Sequence, residues 1–343
     1  MHLSTQPFAR PWRLARVGAT ALALAAAALT VSGAASPTAS TGSTATAGST
    51  ATAAACLSAA PDQRVRVGHD VSADPNTLTQ GESRTMERRL QTRTEQRSTG
   101  PDGAPLGRTR IDVYVHVITK SNGKGGVSTK RIKQQIAVLN KAYAGTTSVS
   151  SISTPFYFKL KKIDKTKKSS WYYWATPTPQ GDPRDDVAPK KKLHRGNWGD
   201  LNLYITKPSD GVLGYATFPD ATSLKRDGVV VLGSSLPGGS ATGYNGGDTA
   251  THEVGHWLGL FHTFQGGCSP FGGDGVDDTP AQADGQNIFS CEEALDTCLA
   301  PGLDPVHNFM SYGDDECLDR FTQGQVGRMT ESWLAYRAPG SRA

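Results

Sequence analysis

The chain has 343 residues, of which 37% are hydrophobic and 20% are charged, and its formal net charge at pH 7 is +5. This composition is ordinary for a soluble protein, so it permits a folded globular enzyme without implying one. The positive charge is too small to indicate a nucleic-acid-binding protein, so no nucleic-acid partner is expected.

The amino terminus has the three parts of a secretory signal peptide. Arg10, Arg13 and Arg16 precede an uninterrupted apolar run at residues 17–31, and small residues follow at 33–35. A basic region, a short apolar core and a small-residue exit are the features that signal peptidases recognise. The run is shorter than the ~20 residues that cross a bilayer. We therefore predict a signal peptide at residues 1–35, a secreted, extracellular protein, and no membrane attachment once this segment is removed.

Residues 36–107 are predicted to form a low-complexity linker and a propeptide. The first part consists almost entirely of Ser, Thr, Ala and Gly, which supply too few large apolar side chains to offset the entropy lost on folding. An Arg-rich segment with helical character follows at residues 84–97. Glycines and prolines at residues 100–107 then interrupt regular structure. A disordered spacer with no inhibitory role is the alternative.

Residues 108–343 are predicted to form one folded domain. Alternating or continuous apolar residues predict strands at 111–118, 156–160, 201–205 and 229–232, and helical spacing with capping residues predicts helices at 128–143, 247–260 and 322–336. Because strands and helices interleave, we expect an α/β fold with a sheet and a helix in the upper half and a loop-rich lower half ending in a helix.

Residues 214–219 form an alternating segment that ends in proline, as edge strands often do. This pattern predicts an edge strand of the sheet.

Two histidines and a glutamate in the stretch THEVGHWLGLFH, at residues 251–262, have the spacing of a metal site. His252 and His256 are four residues apart, so on a helix both imidazoles project from one face, one turn apart. Two nitrogens at that separation can reach one zinc ion. Glu253 is rotated by about 100° from His252, so it lies beside the metal rather than on it. A general base would occupy that position.

The third histidine of the stretch requires a turn in the chain. His262 is ten residues beyond His252, which on a straight helix would place it ~15 Å away. It can bind the same ion only if the helix ends and the chain folds back. Gly259 is suited to end the helix, because glycine enters the left-handed backbone region without a steric penalty from Cβ.

The cysteines are expected to pair, because export places them in an oxidising compartment. Four lie in the carboxyl-terminal quarter, namely Cys268, Cys291, Cys298 and Cys317. Four cysteines allow three pairings, and the sequence does not select one. Cys56 is left over. It is interpreted as a zymogen switch that blocks the metal, as a lipid-anchored terminus, or as an incidental residue, and Asp70 is an alternative blocking ligand.

The motif resembles that of the metzincin zinc peptidases, H-E-x-x-H-x-x-G-x-x-H followed by a distant methionine. The methionine is matched by Met310, within Asn308–Tyr312. Within the metzincins the sequence is similar to the pappalysins, in Phe264 after the third histidine, in residues 273–280 and in the four cysteines. The resemblance implies a metzincin-type catalytic domain with a twisted mixed sheet.

The resemblance also implies a function, that of a secreted zinc-dependent endopeptidase acting on proteins or peptides, and we expect a monomer. Glu253 would take a proton from a zinc-bound water and pass it to the leaving amine. Tyr312 would stabilise the oxyanion, and Met310 would pack beneath the metal. By the same resemblance residues 214–219 would be the rim strand that binds a substrate as an added antiparallel strand, and an ordinary edge strand with no binding role is the other interpretation. A catalytically inactive zinc-containing binding module and a zinc hydrolase acting on other amides are the alternatives. The intact Glu253 argues against the inactive module, because a structural zinc site needs no base.

Two further features are polar clusters. Oxygen-bearing side chains crowd one Gly-rich loop, at Asp274, Asp277, Asp278 and Thr279, and the pappalysin resemblance implies that this loop binds Ca²⁺. Basic runs at residues 161–168 and 190–192 lie near the aromatic residues 171–174 and are interpreted as a solvated face, with binding of an acidic protein or a cell-wall polymer as the alternative.

Overall fold

A computed structural model describes residues 66–67, 76, 78–98, 106–174, 184–209, 211–221, 223–269 and 273–342. All of them belong to residues 56–343, one of the two units into which the chain divides. The predicted signal peptide, the Ser/Thr/Ala/Gly-rich linker, Cys56 and Asp70 lie outside the described residues.

Helices and strands alternate along most of the described chain. In order they are α1 Gln80–Ser98, β1 Thr109–Thr119, α2 Thr129–Tyr143, β2 Phe156–Lys167, α3 Ser169–Tyr172, β3 Tyr173–Trp174, α4 Arg184–Leu193, β4 Leu201–Pro208, β5 Gly214–Ala216, β6 Val229–Leu232, α5 Asp248–Trp257 and α6 Gln323–Tyr336. Short 3₁₀ turns lie at Leu224–Arg226 and Gln286–Phe289. Every strand and helix predicted from residue 108 onward is present.

The strands form one mixed sheet in the order β2-β1-β4-β6-β5, and β3 pairs with the end of β4. β1, β2, β4 and β6 run parallel. β5 lies at one edge and is antiparallel to β6. The predicted α/β fold with a mixed sheet is therefore confirmed, and residues 214–216 of the predicted edge segment are an edge strand.

Local sequence explains where the helices begin. The Ser128 side chain accepts a hydrogen bond from the amide of Arg131 at the start of α2. Thr322 and Gln325 form a reciprocal capping box at the start of α6. Both caps satisfy amides that have no partner within the helix.

The predicted end of β2 at residue 160 is wrong. The strand continues to Lys167 and pairs with β1 along its whole length. It lies at the outer edge of the sheet, where lysine side chains can remain in solvent and discourage pairing with other chains. Lysines are compatible with an edge strand. They interrupt the apolar pattern after residue 160, which is why the sequence predicted too short a strand.

Part of the second basic run is buried, which corrects its interpretation as a solvated face. Lys190 lies in α4, is 1% exposed, and forms an ion pair with Asp186 at 2.8 Å. The two residues are one helical turn apart, so a short-range pair neutralises the buried ammonium group.

The main core lies between the sheet and helices α2, α5 and α6. A buried ion pair ties the end of α6 to the rest of this core. The Arg337 guanidinium binds both carboxylate oxygens of Asp227 at 3.0 and 3.1 Å, and the indole N–H of Trp257 donates to the same carboxylate. Removing one partner of a buried pair costs about 3–5 kcal/mol. These contacts fix the position of α5, the helix that carries the metal motif.

Within the described part of the chain, no helix combines the length and apolar character needed to span a membrane.

Candidate metal centre

Three imidazoles converge at the carboxyl-terminal half of α5. His252 and His256 project from this helix, and His262 follows the turn after it. Their Nε2 atoms form a triangle with sides of 3.0–3.1 Å, and all three side chains are buried. The structure thus brings together the three residues whose spacing predicted a shared ion.

The other ring nitrogens show which way two of these imidazoles are protonated. His252 Nδ1 lies 2.7 Å from the carbonyl oxygen of Phe309, and His256 Nδ1 lies 2.7 Å from that of Leu260. A carbonyl can only accept, so each Nδ1 donates and each Nε2 presents a lone pair to the triangle. Tetrahedral zinc with bonds of ~2.0–2.1 Å would hold its nitrogens about 3.3–3.4 Å apart. The residues present fit a zinc ion.

Burial favours the metal-binding, neutral form of the histidines. Desolvation lowers the pKa of His256 to about 4. The pKa of His262 is lowered well below its usual value by burial and by the two neighbouring imidazoles. At neutral pH these side chains are therefore uncharged and able to bind a cation.

A second group of potential metal ligands among the described residues is Cys291, His307 and Cys317. The two cysteines form a disulfide. They offer no thiolate, so this group does not compete as a metal centre.

The turn that returns His262 to the site is formed at Gly259. Helix α5 ends at Trp257, and Gly259 has φ of +99°. A Cβ at this position would lie 2.2 Å from Ser332 Oγ on α6. Gly259 is therefore required both by its backbone conformation and by the close approach of α6.

Glu253 lies where α5 meets the edge strand β5. A Cβ on Gly214 would lie 2.8 Å from Glu253 Cγ and 3.1 Å from Glu253 Oε1. The absence of a side chain at Gly214 thus lets β5 approach the carboxylate. The sequence alone does not indicate this role of Gly214, because Gly214 and Glu253 are distant in sequence.

Met310 packs against the helix that carries the histidines. It is fully buried, and a Cβ on Gly255 would lie 2.4 Å from its Sδ. Gly255, inside the motif, is a second residue whose role the sequence alone does not indicate. The only sequence feature that points to this contact is the presence of glycine at a position where the motif allows any residue.

Aromatic rings surround the third histidine. Phe264 stacks on His262 with ring centroids 4.8 Å apart. Tyr312 lies 5.0 Å from His262 and 5.6 Å from His252 by the same measure. Tyr312 is therefore beside the metal centre, where the resemblance places it.

The four carboxyl-terminal cysteines form two disulfides, which confirms their predicted pairing in general. The structure selects Cys268–Cys298 and Cys291–Cys317 from the three arrangements that the sequence left open. The Cys268–Cys298 bond lies within the long loop between the third histidine and the Met310 segment. The Cys291–Cys317 bond joins this loop to residues just beyond that segment.

The acidic loop is only partly gathered into one cluster. Asp274 accepts hydrogen bonds from the hydroxyl of Thr279 at 2.6 Å and from an amide at 3.0 Å. Burial raises the pKa of Asp274 to about 7. Asp278 instead accepts from the Thr322 hydroxyl and from an amide at the start of α6. Asp277 is exposed.

Comparison with known proteins identifies the family. A sequence model of the peptidase M43 family, described as pregnancy-associated plasma protein-A, matches residues 189–334. Extracellular metalloprotease NCU07200 of Neurospora crassa is 44% identical over 239 residues, which make up 67% of this chain and 77% of that protein. Extracellular metalloprotease 1 of Coccidioides posadasii is 40% identical over 66% of this chain and 78% of its own. The chain belongs to the peptidase M43 family.

Solved structures of related proteins agree with this assignment. Mature mirolysin of Tannerella forsythia, in complex with a cleaved peptide, is 28% identical with a TM-score of 0.55 and covers 66% of this chain and 91% of its own. Promirolysin from the same organism is 26% identical with a TM-score of 0.61 and covers 77% and 94%. This M43 protein is thus an extracellular metalloendopeptidase, and the predicted family, fold, enzyme class and localisation are confirmed. The inactive alternative finds no support.

Proposed function

We propose that this M43 enzyme is a zinc endopeptidase in which His252, His256 and His262 hold the metal and Glu253 is the general base. The observation that carries the proposal is the Nε2 triangle with a buried carboxylate beside it. Three histidines with an open fourth position are a ligand set typical of catalytic zinc. When bound, zinc lowers the pKa of a water molecule and polarises the scissile carbonyl.

The protein's own residues would supply the remaining chemistry. Glu253 accepts the proton of the attacking water and later donates it to the leaving amine. Its position against β5 places it next to the edge along which a substrate strand would lie. Tyr312, whose ring lies beside His252 and His262, donates a hydrogen bond to the developing oxyanion.

Proteins and peptides are the proposed substrates. An edge strand next to the metal centre supports this proposal, because β-strand addition recognises the main chain of an extended peptide. The mirolysin structure that contains a cleaved peptide supports the same substrate class.

The test is the Glu253→Gln variant of the activated enzyme. We expect it to retain one zinc per chain and to lose casein or peptide hydrolysis by roughly 10²–10⁴-fold. Glu331→Gln, on the α6 surface, is the matched control and should leave the rate unchanged. Full activity of Glu253→Gln, or an active wild-type enzyme without stoichiometric zinc, would show that the assignment is wrong.

We also propose that residues 1–35 are a signal peptide and residues 36–107 a linker and propeptide. Coverage of this chain rises from 66% by mature mirolysin to 77% by promirolysin, and α1 packs against α6 of the catalytic domain. Both observations support a precursor. The Cys56 switch stays a prediction. Amino-terminal sequencing of the secreted enzyme tests the boundary.

A calcium site in the loop at residues 273–279 is a further proposal. The buried Asp274, held by Thr279, supports it, because a bound cation would balance the charge of its ionised carboxylate.

A further inference from the structure

The edge strand β5 offers main-chain groups to a peptide next to the metal centre. On its inner side, the carbonyl oxygen of Leu213 accepts a hydrogen bond from the amide of Leu232 in β6 at 2.7 Å. The amide of Thr217 donates one to the carbonyl oxygen of Gly228, just before β6, at 3.0 Å. Because bonding alternates along an antiparallel strand, the N–H and C=O groups of Gly214 and Ala216 point to the open edge. Gly214 abuts Glu253, so this edge is where a substrate's main chain would pair.

Asn76 already occupies part of this edge. Its side-chain N–H donates to the carbonyl oxygen of Ala216 and its carbonyl oxygen accepts from the amide of Ala216, both at 2.8 Å. The side chain is 1% exposed. A carboxamide offers one acceptor and one donor side by side, which is the pair that the main chain of a bound peptide would present.

The next described residue, Leu78, also contacts the catalytic domain. The carbonyl oxygen of Leu78 accepts a hydrogen bond from Gln265 Nε2 at 3.0 Å. Gln265 is buried and lies three residues after His262. Residues 76 and 78 thus bind to β5 and to the segment that follows the third histidine.

Helix α1 anchors this segment to the catalytic domain. Glu87 forms an ion pair with Arg328, and Arg89 forms one with Asp220 at 2.9 Å. Leu90 is buried against Ala335 and Tyr336 of α6. Because α1 is docked only a few residues away, Asn76 is held at a high effective concentration beside Ala216.

We propose that Asn76 is an autoinhibitory latch whose carboxamide occupies the substrate's main-chain position on Ala216, with α1 keeping it there. The proposal rests on the proposed function, because it requires residues 36–107 to be the propeptide of an endopeptidase. The latch blocks the substrate edge and supplies no metal ligand, so it acts without Cys56. Release of α1 removes the anchor and frees the edge for substrate.

The test measures peptide binding to zinc-loaded precursor carrying Glu253→Gln, which cannot process itself. The probe is a fluorescent peptide that the activated wild-type enzyme cleaves, and the readout is its anisotropy. Asn76→Ala removes both bonds, and Asn76→Asp replaces the donor with an oxygen that faces the Ala216 carbonyl. We expect each variant to bind the peptide roughly tenfold more tightly than the unaltered precursor. Gln91→Ala, which removes an exposed carboxamide from α1, should change nothing.

Equal peptide affinity in the Asn76 variants and the precursor would overturn the proposal. So would a lowered melting temperature without a change in affinity, because that result would assign Asn76 a purely structural role. A Cys56→Ala precursor should still bind the peptide weakly while Asn76 is intact, and tight binding by it would contradict the latch. Hydrolysis by the activated wild-type enzyme tests the proposed function separately, since the binding assay requires no turnover.

Discussion

Arg328 of α6 donates a hydrogen bond from Nε to the carbonyl oxygen of Gly259 at 2.8 Å. Its guanidinium also lies 4.4 Å from the ring centroid of Phe261. Both partners belong to the turn that leads to His262. A residue that never contacts the metal therefore supports the backbone that positions the third ligand.

Replacement of Arg328 should weaken zinc binding. Arg328→Lys keeps the charge but loses the planar donor group, and hydrogen bonds to charged groups contribute about 1.5–3 kcal/mol. We expect roughly 10–100-fold weaker zinc affinity, measured by competition with a chromogenic chelator. Arg110→Met, a change to an exposed arginine of β1, should leave the affinity unaltered. Unchanged affinity in Arg328→Lys would remove Arg328 from this role.

Gly255→Ala should destabilise the enzyme, because the added methyl group would collide with Met310 Sδ. Overpacking of a well-packed core costs about 1–3 kcal/mol, which thermal unfolding can measure. Gly327→Ala on α6 is the matched control, because a Cβ there meets no heavy atom within 4 Å. It should be neutral or slightly stabilising. If the collision is the cause, Gly255→Ala should cost less stability in a Met310→Ala background than in the wild type.

Tyr312→Phe should reduce turnover without loosening the site. The phenylalanine ring keeps the contact with His262, whereas the hydroxyl that would stabilise the oxyanion is lost. We expect kcat to fall roughly 10–100-fold, with KM, zinc content and melting temperature close to those of the wild type. A change confined to KM would assign the hydroxyl to ground-state binding instead.

Protonation of the buried His194 should lower the stability of the folded enzyme as the pH falls. Burial lowers its pKa from 6.5 to about 4, so the folded state resists protonation that the unfolded state accepts. Stability from this residue is complete above pH 6.5 and is lost as the pH falls toward about 4. His194→Gln removes the titrating group. Its melting temperature should therefore fall less than that of the wild type over this range, and identical pH profiles would exclude the effect.

Calcium should raise the melting temperature most at alkaline pH. Because the folded-state pKa of Asp274 is raised from 3.8 to about 7, its contribution to stability is present at low pH and is lost as the pH rises through 7. Bound calcium would offset that loss. Asp274→Asn should abolish the calcium effect, whereas Asp277→Asn should retain most of it. An equal response to calcium and to magnesium would indicate no specific site.

The convergence of the three histidines was predictable because the information for it is local. Spacing of four residues fixes a helical face, and Gly259 marks the return of the chain to His262. The contact between Gly214 and Glu253 was not predictable in this way, because it depends on how β5 packs against α5. Likewise, Asp278 caps a helix 44 residues away, so its oxygens could not be assigned from the loop alone. The pairing of the four cysteines could not be read from the sequence for the same reason, because it depends on which loop segments meet in the folded protein.

The two disulfides have a consequence for the life of the enzyme outside the cell. They close segments of 30 and 26 residues between His262 and the residues just after Tyr312. Each closure lowers the entropy of the unfolded chain and so stabilises the folded state by about 3 kcal/mol. We therefore expect an apoenzyme stripped by a chelator to keep the arrangement of this loop and to regain activity when the ion returns. Disulfide reduction should remove that constraint, so a reduced enzyme should recover activity less readily than a metal-depleted one.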